Sequence, residues 1–261
     1  SDLYATNDNE IRTELEQKIA NFEDYFESQA RNMLKLRYDD DKNIRSSVIE
    51  NSLSKEPVES SNTINYTFPW PGANYYASIG GHTIFDTGNY GETSGSGTAS
   101  YSHSSNNNLS KVEASNPTWC PLCTTSATVQ NGVVFGVKVG YLGGPQQGTA
   151  DIRFYNQTAN AALYVPTSGS AEFSVDNILY NVDSNQLMST YNFVYKTGYN
   201  ALYTISEGPY FVYFTNVNLG LGTYAAFTTT HAKVAANGST YVNANGPGQG
   251  VKWEKIDVYF H

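Results

Sequence analysis

Charge is scarce in this chain. Only 15% of its 261 residues are Asp, Glu, Lys or Arg, against roughly 25% in an ordinary soluble domain. What charge there is runs negative, at −9, with a pI near 4.8. That balance argues against a general nucleic-acid binder, which needs clustered Lys and Arg against phosphate, and it disfavours an anionic membrane surface. Cysteine is nearly missing too. The two present, Cys120 and Cys123, make no disulfide framework for this length. No apolar run is long enough to read as a membrane-spanning helix.

The familiar catalytic spacings are also missing. His82, His103, His231 and His261 fall in no HxH or HExxH arrangement, and no Ser or Cys has a nucleophile-elbow context. Glu172, Asp176, Asp183 and Glu207 are available carboxylates, but nothing in the sequence sets two of them face to face. No catalytic residue and no metal ligand is assigned, and no enzymatic activity is expected.

Asn, Ser, Thr, Gly and 21 tyrosines carry the solubility instead. They are the residues of short strands and tight turns, and of many surface and secreted β proteins. The chain opens at Ser1-Asp2-Leu3 without methionine. We expect a removed leader or hydrophobic anchor, an extracellular or cell-surface location, and membrane contact only through that lost segment.

The clearest boundary is one of charge. Residues 1–60 hold 8 of the 15 basic and 14 of the 24 acidic residues. Asn7, with Glu10 three residues on, fits a capping box. Leu15, Ile19, Phe22, Phe26, Met33 and Leu36 then follow a 4-3 alternation, interrupted at Gln29. A helix over 10–37 would be about 42 Å long, and its apolar face would pack on its own domain or on other subunits. A shorter helix is expected near 42–54, ended by Pro57.

From Thr63 the period changes to two. Ten β-branched or aromatic runs follow, among them Ala150–Tyr155, Ala161–Val165, Ala201–Ile205, Tyr210–Thr215 and Lys252–Phe260. The expected class is therefore mainly β with a long N-terminal α-helix: a β-sandwich or jelly-roll-like domain over 61–261 behind a helical stalk over 1–60. Residues near 86–118 read as a polar low-complexity loop.

Within the β region, Cys120-Pro121-Leu122-Cys123 is the sharpest motif. Its loop-like flanks favour a local disulfide over half a zinc site or a redox couple. No cofactor is expected, although Asp86–Glu92 has oxygen donors and glycines that suit calcium outside the EF-hand register. Sequons occur at Asn65, Asn108, Asn156 and Asn237. Composition alone predicts roughly five, so their number is no argument for glycosylation. Trp70, Tyr75, Tyr76 and Trp119 lie near loops, where a sugar- or peptide-binding platform could form, with core packing as the ordinary alternative.

The amphipathic helix before a β domain, together with Tyr191–Gly198 ahead of Ala201-Leu202-Tyr203 inside Ile178–Phe214, is similar to the soluble part of archaeal type IV pilin-like surface proteins. That resemblance implies a structural or adhesive filament subunit that associates with itself or with other surface subunits. The second reading is a carbohydrate- or receptor-binding head on a coiled-coil stalk, touching a glycan or a cell-surface receptor. The third is a secreted hydrolase.

Overall fold

The computed structural model describes residues 64–67, 75–78, 81–83, 91–95, 97–104, 108–119, 122–141, 147–166, 169–198, 201–220, 222–235 and 239–260. Among these residues almost everything is strand, arranged as two sheets that share one interior.

Four long antiparallel strands make the body of the first sheet. They are β7 (Thr124–Tyr141), β9 (Ser170–Asn181), β10 (Gln186–Gly198) and β12 (Gly222–Ala235), in the order β10-β9-β12-β7. Three short strands line the free side of β7 in succession: β4 (Gly91–Gly95), β3 (Gly81–Thr83) and β2 (Tyr75–Ser78). The second sheet repeats this device. Its centre is β8 (Gln147–Val165), with β11 (Ala201–Gly220) along one side. Along the other lie β13 (Tyr241–Asn243), β14 (Gly250–Lys252) and β15 (Ile256–Phe260). β6 (Leu109–Ser115) pairs beyond β13 and β14, and β5 (Thr98–Ser104) beyond β6. β1 (Ile64–Thr67) runs parallel to β15.

Strand alternation builds the interior rung by rung. On the first sheet Ala226, Val133 and Leu179 share one inward rung, and Ala232, Ala127 and Phe173 another. Opposite them stand Ile152, Phe154, Leu163 and Val165 of β8, all buried. Two apolar clusters result, one around Phe135, Phe154, Trp253 and Phe260, the other around Phe173, Leu163 and Val234. Each buried large side chain contributes roughly 1.5–3 kcal/mol relative to exposure.

One rung between the clusters is polar. Asn131, Thr228 and Asn177 are aligned across the first sheet. Gln157 meets Asn177 from the second sheet with two reciprocal amide hydrogen bonds of 2.8 and 2.7 Å. Asn131 donates to the Asn108 carbonyl at 2.7 Å. All these side chains are buried, and the paired amides satisfy each other where water does not reach.

This architecture corrects the expected fold class. A mainly β chain with a long N-terminal helix is replaced by a β-sandwich with no α-helix among the described residues. The helical face Leu15, Ile19, Phe22, Phe26, Met33 and Leu36 falls outside those residues. The expected short strands are corrected as well. Ala150–Tyr155 and Ala161–Val165 belong to one strand, β8, and Ala201–Ile205 and Tyr210–Thr215 to another, β11. Asn156 and Gly208 have positive φ, +52° and +90°, so each bends a strand that continues through it. The stretch 91–115, expected to be loop, holds β4, β5 and β6. In β6, Lys111, Glu113 and Ser115 alternate with Val112 and Ala114, whose side chains are buried.

Candidate functional site

The outward face of the second sheet gathers exposed rings. Val212 and Phe214 of β11 point inward, so Phe211 and Tyr213 point out, half exposed at 51% and 45%. Beside them β8 places Arg153 and Tyr155, and β15 places Asp257 and Tyr259. Arg153 stands directly opposite Tyr213 on one side and Asp257 on the other.

The rings hold one another in place. Phe211 meets Tyr155 edge-on, with centroids 4.8 Å apart at 79°, and lies 6.3 Å from Tyr213 at 43°. The Arg153 guanidinium sits 4.2 Å from the Tyr259 ring centre and 5.8 Å from that of Tyr213. Lys255 caps Tyr155 at 4.7 Å. Asp151 offsets Arg153 at 3.5 Å and accepts the Asn216 backbone N–H at 3.0 Å. The Tyr155 hydroxyl reaches Asp257 at 3.4 Å. Burial lowers the Arg153 pKa. Tyr155, Asp151 and Asp257 more than reverse that, so the charge stays above its ordinary range.

A second ring group occupies the other end of this face. Leu202, Tyr164 and Tyr241 align across β11, β8 and β13. Tyr164 and Tyr241 lie 5.7 Å apart at 32°. Near that end the turn after β6 presents Trp119, exposed at 73%, and Leu122. Asn116 pins the turn by donating to the Cys123 carbonyl at 2.7 Å and accepting from Thr125 at 2.8 Å.

Of the platform candidates Trp70, Tyr75, Tyr76 and Trp119, Trp119 is described as an exposed aromatic. Tyr75 and Tyr76 lie on β2, at the edge of the other sheet. Trp70, Cys120, Asn237 and Asp86–Asn89 fall outside the described residues. Cys123 is buried and is not a free thiol. Asn65 lies on β1 and Asn156 is exposed at its bend. Asn108, only 4% exposed, donates to the Trp253 and Glu254 carbonyls, which leaves its amide no room for a glycan.

Asp176, Asp183, Glu172 and His231 have structural partners. Asp176 accepts from Asn192 at 2.9 Å, Asp183 from the Thr223 N–H at 2.8 Å, and Tyr195 reaches Glu172 at 3.4 Å. His231 is buried with Nδ1 2.7 Å from the Thr128 hydroxyl. Burial holds His103 at a pKa of about 4, against an opposing backbone contact at Leu109.

The sequence reading missed Arg153, Tyr155, Phe211, Tyr213 and Tyr259. Its signal was the run Tyr210-Phe211-Val212-Tyr213-Phe214, apolar on both faces of a strand that has only one face in the core.

No known family and no curated protein matches the chain. Among solved structures it is similar to TmCBM61 in complex with β-1,4-galactotriose, at 10% identity over 68% of this chain and 94% of that one, TM-score 0.26. It is similar to the Family 11 Carbohydrate-Binding Module of Clostridium thermocellum with a β-1,3-1,4-mixed-linked tetrasaccharide, at 13% identity over 70% and 89%, TM-score 0.20. A third likeness is to the CBM22-1–GH10 modules of the xylanase Xyn10B from that organism with xylohexaose, at 10% identity over 59% of this chain and 26% of that one, TM-score 0.20. None of the three is a pilin. At scores this low, their ligands say nothing of the ligand here.

Proposed function

We propose that this protein binds carbohydrate on the outward face of its second sheet. The observation that carries the reading is the rigid, half-exposed pair Phe211 and Tyr213, buttressed by Tyr155 and by Arg153. A sugar ring presents C–H groups on one face and hydroxyls around its rim. Aromatic faces take the first, and Arg153 and Lys255 flank the rings for the second. The rings are already fixed by their neighbours, so a ligand meets them without a large ordering cost. Low charge and the absence of a free thiol at Cys123 support a working place outside the cell.

The test is isothermal titration with a panel of neutral oligosaccharides, galacto-, xylo- and β-1,3-1,4-mixed-linked among them. At least one series should bind, and Phe211→Ala and Tyr213→Ala should each weaken it about tenfold. Native affinity in both variants, with the fold intact by circular dichroism, would sink the proposal.

A further inference from the structure

The two ring groups share one face because two backbone irregularities coincide. Tyr155 and Tyr164 are nine residues apart, and so are Leu202 and Phe211. In a regular strand an odd separation sends side chains to opposite faces. Here β8 buries Ile152 and Phe154, shifts parity at Asn156, then buries Ala159, Ala161 and Leu163. Its partner β11 buries Ile205, shifts across Gly208 to Tyr210, then buries Val212 and Phe214. The shifts lie side by side, since Glu207 pairs with Ala159 and Tyr210 with Gln157. Together they keep all four residues outward.

Between the ring groups the floor is polar, with the exposed Lys252 of β14 beside Thr158. Thr158, Asn160 and Ala162 come from β8, Thr204 and Ser206 from β11, and Asn243 from β13. Tyr155 and Tyr164 are roughly 25–30 Å apart along β8. A monosaccharide or disaccharide reaches only one group.

We infer that the whole face is a single trough for an extended, uncharged polysaccharide chain, with rings gripping it at both ends and hydroxyl and amide groups following it between. The inference rests on the carbohydrate reading and adds the length and charge of the ligand. Asp151 offsets Arg153, and the net charge of −9 opposes a polyanion.

The experiment is a calorimetric series over one neutral oligosaccharide family, from disaccharide to hexasaccharide, with native protein and a Tyr164→Ala/Tyr241→Ala double variant. Native affinity should rise about tenfold or more between trisaccharide and hexasaccharide. The double variant should bind the hexasaccharide no better than the trisaccharide. Tyr164→Phe/Tyr241→Phe should restore the gain, because the ring faces remain. Equal affinities for trisaccharide and hexasaccharide, or a double variant with native hexasaccharide affinity, overturns the trough. The carbohydrate reading survives those results if Phe211→Ala still weakens trisaccharide binding about tenfold. If no saccharide binds, both fail.

Discussion

At the scale of single residues, the buried polar groups distinguish this interior from an ordinary sandwich core. Gln157 and Asn177 satisfy each other across the sheets, so removing one strands the other in a site without water. Asn177→Leu should lower stability by about 1–3 kcal/mol, while Gln157→Leu/Asn177→Leu should cost less than the sum of the singles. A urea-denaturation cycle measures this, and additive losses would show the pair to be uncoupled. His103 makes a pH prediction. Its folded pKa of about 4 lies below the ordinary 6.5, so the unfolded chain takes up the proton first as pH falls. Stability should be complete above pH 6.5, decline between 6.5 and about 4, and level off below. The full loss is on the order of 3 kcal/mol. Denaturation at pH 7.5 and 4.5 should show a smaller difference in His103→Gln than in the native protein.

At the scale of elements, the informative features are the bends inside long strands. Asn and Gly normally punctuate strands, and the sequence accordingly reads Ala150–Tyr155 and Ala161–Val165 as separate. The pairing partner overrides this, because β11 continues alongside and its hydrogen bonds hold β8 through the bend. Gly208 is the residue on which this depends. A Cβ there would lie 2.2 Å from the Gln157 carbonyl oxygen at φ +90°. Gly208→Ala should therefore destabilise by about 2–4 kcal/mol and lower Tm by roughly 5–10 °C. Gly248→Ala is the control. It too has positive φ, but a Cβ would meet nothing within 4 Å, so only the backbone strain remains, about 1–2 kcal/mol. Thermal melts of the two variants separate steric closeness from conformational strain, and equal losses would contradict the account.

At the scale of the whole molecule, the β character and most strand locations were legible from period-two runs such as Ala171–Val175 and Tyr224–Thr230. The run Lys252–Phe260, read as one strand, divides instead between β14 and β15, with Trp253, Val258 and Phe260 buried. The legible features follow from local chemistry: side chains alternate across a strand, and apolar ones leave water. The exposed ring face was not legible. Phe211, Tyr213, Tyr155 and Tyr259 come from three strands, and aromatic residues look the same in sequence whether they fill a core or stand on its outside. Which face turns outward depends on which partner each strand finds and where a bend resets its parity. The sequence by itself determined that this chain is rich in strands, poor in charge and without a recognisable catalytic spacing. Only the tertiary structure decided that its runs join into long bent strands and that two ring groups share one open surface, because strand pairing is a long-range choice that no local period encodes.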